Sequence, residues 1–254
     1  MANYHMEIKT ISRGNGQSVT SMVNYISGER LRDCYTGKTY YRKRSDVLYC
    51  GIFQPQNAPR NYYDLQHLCN EIESAERRYD ARTGRIFIGS LPNELYLREW
   101  YKILKEFIEV NFVNYGLCAI AAIHEGRNDI DPSRNNPHVH IIVPTRTVNS
   151  DGFSQKKDRE HDKRKYINIW REHWAQVQNM AYERNDLNIC VSHESLEVQG
   201  IRRREPSIHL SYCDWQKKKQ CEYVLEEKQN QKNKIRNKEY CHEHQLEWEM
   251  DIFR

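Results

Sequence analysis

Two apolar stretches constrain this chain more than any other feature: "LCAIAAIHE" (117–125) and "HVHIIVPTR" (138–146), separated by the polar loop "GRNDIDPSRNNP". Each is short, rich in small or β-branched apolar residues and bounded by turn formers, which marks a buried strand. The loop holds Gly, Asn, Asp and Pro, so the two strands are expected side by side as an antiparallel hairpin. Residues i and i+2 of a strand share a face. His138 and His140 therefore project together, while Val139 and Ile141 face the other way. The hairpin lays His124, at the end of the preceding strand, beside that pair.

Around this hairpin the periodicity switches between strand and helix. "NYHMEIKTIS" (3–12) alternates as a first strand. "GQSVTSMVNYISGE" (16–29) reads as a helix capped by Ser18, with a stripe of Val19, Met22, Val23 and Ile26 and a stop at Gly28. Residues 29–60 are rich in Tyr, Arg and Lys and read as irregular or hairpin-like. "YYDLQHLCNEIESAERRY" (62–79), "LYLREWYKILKEFIEVNFV" (95–113) and "RKYINIWREHWAQVQNMAYERN" (164–185) read as helices, and "RIFIGSL" (85–91) as a strand stopped by Pro92. Helices interspersed with hairpin-connected strands predict an α+β fold, a central antiparallel β-sheet with flanking helices, rather than a doubly wound parallel sheet.

Composition narrows the setting. The chain has 254 residues, 29% of them charged, a formal net charge of +4 and eight cysteines without close pairing. A disulfide framework is not expected, and the thiols read as reduced. The N-terminal residues lack the apolar core of a secretory leader and no apolar run reaches membrane-spanning length. The expected location is the cytoplasm, with no membrane partner. After about residue 213 the chain turns to Gln, Glu and Lys. Residues 1–213 are expected as one domain and 214–254 as a charged tail or helix.

A His-x-His pair alone is a weak signal, since among 11 histidines in 254 residues chance supplies roughly half of one such pair. Convergence of His124, His138 and His140 on one sheet face is stronger. Three imidazoles with the rest of the coordination sphere open suit a catalytic metal better than a closed structural zinc site. Imidazole favours Mn, Zn, Ni or Co over Mg, which prefers oxygen. Tyr25 lies on the flank of the second segment's apolar stripe. By pattern alone it is a boundary tyrosine among 17, and Tyr40 and Tyr41 are its nearest rivals.

Several segments resemble, in order, the relaxase domain of the MobA/MobL family of plasmid mobilisation proteins, members of the HUH endonucleases. "YHMEIKTISRGNGQSVTSMVNYISGE" resembles the family's first motif, "EIESAERRYDARTGRIFIGSLPNEL" its second and "AIHEGRNDIDPSRNNPHVHIIVPTR" its metal motif. "GFSQKKDRE", "WREHWAQVQN" and "VSHESLEVQGIRRREPSIHLS" resemble its later blocks, so that the match covers about residues 3–211. The resemblance implies Tyr25 as nucleophile and His124, His138 and His140 as ligands of a divalent metal ion, Mn or Mg favoured. It implies a site- and strand-specific relaxase that nicks DNA at a transfer origin, forms a 5′-phosphotyrosine and rejoins the strand. Single-stranded origin DNA is the implied partner, with accessory relaxosome and coupling proteins and no small-molecule substrate. One departure stands out: Ile86 occupies a position where the family usually has Glu, and His5 or Glu7 are the candidates to replace it in proton transfer.

Basic clusters at Arg42-Lys43-Arg44, Lys156-Lys157-Arg159 and Arg202-Arg203-Arg204 suit phosphate contacts, although a charge run is as readily a solvated face. Arg13 and Ser18 match the first motif and are expected near the scissile phosphate. Two other readings remain open from the sequence. One is a rolling-circle replication initiator of the same class, although its tyrosine typically follows the histidine motif. The other is a DNA-binding protein with a decayed active site.

Overall fold

The computed structural model describes residues 4–127, 135–201, 229 and 231–233. Thirteen elements follow in order: β1 (Met6–Ser12), α1 (Val19–Ser27), β2 (Leu31–Arg32), β3 (Thr39–Tyr40), β4 (Val47–Phe53), α2 (Leu65–Ser74), β5 (Arg82–Ser90), α3 (Leu97–Asn111), β6 (Ala119–His124), β7 (His138–Pro144), β8 (Val148–Asn149), β9 (Gly152–Phe153) and α4 (Lys165–Arg184), with three short 3-10 turns between them. Five strands form one sheet in the order β1-β5-β7-β6-β4, and every neighbouring pair is antiparallel. This is the α+β architecture expected from the sequence.

Alternation along the strands divides the interior in two. Phe87, Ile123, Val139, Ile141 and Val143 face one way, against Leu104 and Phe107 of α3 and Trp170 and Trp174 of α4. Ile86, Ile120, Ala122 and Ile142 face the other way, against Val19, Val23 and Ile26 of α1 and Leu68 and Ile72 of α2. The paired histidines occupy the second face, level with α1. β7 is inner, hydrogen-bonded to β5 and β6.

One strand differs from the expectation. Residues 29–60 were expected to be irregular or hairpin-like, and they do contain the small β2–β3 hairpin. They also contain β4, an edge strand of the main sheet with a register shift between Val47 and Tyr49. Its residues, VLYCGIF, form an apolar run set within a Tyr-, Arg- and Lys-rich stretch, and none of them is fully enclosed. α2 is shorter than its apolar periodicity suggested, ending at Ser74 with Tyr79 81% exposed beyond it.

The start of α1 is fixed by a buried carboxylate. Ser18 caps the helix, its hydroxyl accepting from Ser21 N–H. Glu73, wholly enclosed on α2, accepts the Val19 N–H at 2.6 Å through Oε1 and the Arg13 guanidinium at 2.6 and 3.0 Å through Oε2. At the other end Gly28 takes the left-handed conformation (φ 73°) and lets the Arg42–Arg44 segment pass, since a Cβ there would stand 3.2–3.4 Å from it.

By clustering of contacts the chain comprises two units, Met1–His193 and Glu194–Arg254. In the second, Ser195–Ile201 makes a local turn with Ile201 N–H donating to Leu196 O at 2.8 Å. The expected tail, 214–254, lies outside the described residues except for 229 and 231–233, which are helical. Cys34, Cys50, Cys69, Cys118 and Cys190 are free thiols, and no helix among the described residues is long and apolar enough to cross a membrane.

Glu73→Ala should cost about 3–5 kcal/mol, because it leaves the enclosed Arg13 without a counter-charge and an α1 N–H without an acceptor. Urea denaturation of the two proteins measures it, and a loss under about 1 kcal/mol would show that Glu73 does not anchor α1.

Candidate metal centre and tyrosine

Register builds the histidine cluster. His124 stands opposite His138, and His140 stands opposite Ala122, two residues further along β7. The ring centroids are 4.7–5.1 Å apart, and one nitrogen from each ring lies within 4.8 Å of the others. His124 and His140 are buried.

Hydrogen bonds set which nitrogens face inward. His124 Nε2 lies 2.7 Å from the carbonyl oxygen of Ile26. A carbonyl only accepts, so Nε2 carries the proton and Nδ1 keeps its lone pair. His138 Nδ1 donates in the same way to Asn136 O at 2.8 Å, which leaves its Nε2 bare. His124 Nδ1 and both nitrogens of His140 are buried with no hydrogen-bond partner. Burial pushes the His124 imidazole down to about 4 and His140 to about 2, with their mutual proximity adding to the effect, and His138 shifts the same way. All three are therefore neutral at physiological pH. Neutral imidazoles with orphaned lone pairs converging on one point fit a divalent cation.

α1 returns from its Ser18 cap along the sheet and delivers Tyr25 to this cluster. The phenol ring sits edge-on to His140, with centroids 5.9 Å apart, and is 36% exposed. The Arg42 and Arg44 guanidinium carbons stand 5.1 and 4.8 Å from its centroid. Tyr40 belongs to β3, paired with Leu31, and Tyr41 is 68% exposed.

The structure separates the expected DNA contacts. Arg42 and Lys43 are exposed next to Tyr25, while Arg44 is mostly enclosed. Arg13 and Ser18 make contacts within the protein. Arg13 follows the end of β1 that pairs with Arg82, whereas the histidines lie level with the other end, where Met6 pairs with Gly89; Ser18 caps α1 and stands about 10 Å along the helix from Tyr25. Six residues of strand separate the two ends of β1 by about 20 Å. Arg13 gives its guanidinium to Glu73 and to the Glu76 and Arg78 carbonyls, and Ser18 is consumed as the helix cap. Lys156 is exposed at that same far end, where its neighbour Lys157 pairs with Glu76 at 3.0 Å and Arg82 O at 2.6 Å. Arg202, Arg203 and Arg204 lie outside the described residues.

Ile86, in place of the family's carboxylate, packs in the α1-side core and pairs with Ile142. Of its suggested substitutes, Glu7 shares a row and a face with His140 but is separated from it by Ile88, and pairs with Lys9 at 2.9 Å. His5 O accepts the Ser90 N–H and its own N–H donates to the Ser90 hydroxyl oxygen, and Ser90 stands opposite His138. A carboxylate that the sequence did not single out is closer. Asp46 Oδ2 lies 3.9 Å from His124 Nδ1, and the hydrogen bond from Arg44 holds its carboxyl down at about 2. Its placement depends on β4 lying beside β6, so its only sequence signal was an acid among bases.

The model of the MobA/MobL family matches residues 17–220. This chain belongs to the MobA/MobL family. It is 29% identical over 256 residues to a probable mobilization protein MobA of Bifidobacterium longum, covering 84% of this chain and 44% of the relative. It is 28% identical to mobilization protein MobL of Acidithiobacillus ferridurans (83% and 62% covered) and 24% identical to conjugal transfer protein TraA of Agrobacterium fabrum (83% and 21%). The chain thus spans less than two thirds of each of these relatives. A solved structure described as the molecular basis of vancomycin resistance transfer in Staphylococcus aureus superposes with a TM-score of 0.67 at 28% identity, covering 76% of this chain and 98% of that one.

Because His140 is buried with neither nitrogen paired, His140→Leu should leave the metal-free protein as stable as the parent or up to about 1–3 kcal/mol more so. In the parent, Mn at 100 times its dissociation constant should add about 2.7 kcal/mol, and in the variant nothing. Thermal unfolding with EDTA or Mn reads both. An equal Mn response in the two proteins would show that His140 is no ligand.

Proposed function

We propose that this protein is a DNA relaxase that nicks and rejoins one strand at a transfer origin, with Tyr25 as nucleophile and His124, His138 and His140 holding a divalent cation, Mn or Mg favoured. The observation that carries this reading is the Tyr25 ring seated against His140 at the mouth of three neutral, convergent imidazoles. A cation bound there supplies charge neutralisation to the non-bridging oxygens of the scissile phosphate. The protein supplies the rest. α1 presents the phenol from a helix locked at both ends, which reduces the entropy to be lost on attack. The Tyr25 oxygen attacks phosphorus and the bond to the 3′ oxygen breaks. The phenol gives up its proton and the departing 3′ oxygen takes one up. The 5′-phosphotyrosine keeps the energy of the broken ester, so the strand can be resealed.

Arg42 and Lys43 stand where phosphates flanking Tyr25 would run, and Lys156 can meet only DNA that extends about 20 Å along the sheet. Relatives named for mobilization and conjugal transfer favour a transfer origin over a replication origin. The intact tyrosine and histidine set speaks against a decayed site. Single-stranded origin DNA, accessory relaxosome and coupling proteins, and a cytoplasmic setting complete the proposal, with residues 1–213 as the nicking domain.

The test is incubation of the protein and Mn with a labelled, randomised single-stranded DNA pool, followed by a denaturing gel. A covalent band should form with the parent, Tyr40→Phe and Tyr41→Phe, and vanish with Tyr25→Phe, whose stability should change by less than about 0.5 kcal/mol. A band that survives Tyr25→Phe refutes the assignment. Removal of residues 220–254 should leave the band, and its loss with the fold intact would place part of the machinery in the tail.

A further inference from the structure

The segment Arg42–Asp46 is tied into the site in a way that a phosphate-binding surface does not need. Arg44 donates Nε and Nη2 to the two oxygens of Asp46 at 2.8 and 2.6 Å, and Nη1 to the Tyr25 carbonyl at 3.0 Å. Its guanidinium also lies 4.8 Å from the centre of the Tyr25 ring. Asp46 in turn faces His124 Nδ1 at 3.9 Å, and its carbonyl accepts the N–H of Glu125 at 2.8 Å. A continuous run of contacts therefore leads from the tyrosine through Arg44 and Asp46 to the strand that carries His124. Three of the five guanidinium donors are committed, and the side chain is 16% exposed. Little of Arg44 remains for a phosphate. Arg42, on the same segment, is exposed and stands 5.1 Å from the same ring.

We propose that Arg44, clamped by Asp46, is a positioning residue that holds the Tyr25 ring against the histidine cluster, and that Arg42 supplies the phosphate contact on this segment. The inference rests on Tyr25 being the nucleophile. The planar guanidinium can bond a carboxylate with two parallel N–H groups while a third reaches the helix carbonyl, which an ammonium cannot do. Arg44 also interacts with the Tyr25 hydroxyl, so it bears on the attacking oxygen as well as on the ring, and it contacts no DNA in this proposal. It acts through the tyrosine.

Two measurements test it. In DNA-free protein labelled with fluorotyrosine, the Tyr25 fluorine resonance is the line that Tyr25→Phe deletes. Arg44→Ala and Asp46→Asn should each broaden that line, and Arg42→Ala should leave its width unchanged. An unchanged width in both Arg44→Ala and Asp46→Asn overturns the proposal, whatever the protein does to DNA. The second measurement uses the oligonucleotide recovered from the covalent band of the randomised pool. Arg44→Ala should slow covalent capture at saturating oligonucleotide about 10–100-fold, and Arg44→Lys should not restore it. In a Tyr25→Phe background, Arg44→Ala should leave affinity and its salt dependence unchanged. Arg42→Ala should weaken affinity and lower the slope of log K against log salt by about 0.7. Lost affinity and a reduced slope with Arg44→Ala, at an unchanged rate of capture, would make Arg44 a phosphate contact and refute the inference. Absence of any covalent band with the parent protein would instead refute the nucleophile assignment, on which the inference depends, while the line widths would still report whether Arg44 restrains Tyr25.

Discussion

The hydrogen bond between His124 and the Ile26 carbonyl, 2.7 Å long and wholly buried, is the interaction on which the rest of the site depends. It does two things at once. It commits Nε2 to donation and so leaves Nδ1 bare toward the other histidines. It also pins the last turn of α1 to the sheet, one residue beyond Tyr25. The group that would hold a metal and the residue that would attack are thereby fixed by the same contact. Helix α1 is held at its beginning by Glu73 and at its end by His124, with Gly28 turning the chain away immediately afterwards. The intervening turns have little freedom to rotate.

The arrangement has an energetic cost that a purely structural core would avoid. A buried imidazole with neither nitrogen bonded, as at His140, is destabilising by the desolvation of its polar atoms. The rows of Ile and Val around it could have accommodated an apolar residue. Orphaned polar atoms in a native core call for a partner that is not part of the chain, and their convergence says where it would sit. The opposite face of the sheet shows the contrast. There Phe87, Phe107, Phe112, Trp170 and Trp174 pack largely edge to face, and the one buried charge on that face of β5, Arg85, is paired with Asp162 and lies over the Trp170 ring. One sheet thus combines a largely apolar core on one face with the histidine cluster on the other, separated by the two-residue period of a strand.

That period is also why so much could be read from the residues. The His138–Val139–His140–Ile141 alternation fixes which side chains share a face, whatever the surroundings, and the polar loop before it determines that His124 comes alongside. The Ser18 cap and Gly28 stop of α1 were legible for the same local reason. What escaped was non-local. The apolar run VLYCGIF gives β4 a local strand signature, but its pairing with β6, and with it the closeness of Asp46 to His124, had none. Arg13 is close to Tyr25 in sequence, yet β1 and α1 run in opposite senses and its guanidinium is given to Glu73, while the Ser18 hydroxyl accepts from Ser21 N–H as the α1 cap. Tyr25 itself was one tyrosine among many until family resemblance selected it. Its ring contact with His140 is a property of the packed structure.

The central claim is that His124, His138 and His140 form one metal site facing Tyr25. Crystals of the protein soaked in Mn and measured for anomalous scattering test it most directly. One strong peak is expected within bonding distance of His124 Nδ1, His138 Nε2 and a nitrogen of His140, on the side of the sheet where the Tyr25 ring lies. No peak there in crystals that bind Mn elsewhere, or a peak coordinated by fewer than two of these imidazoles, would contradict it.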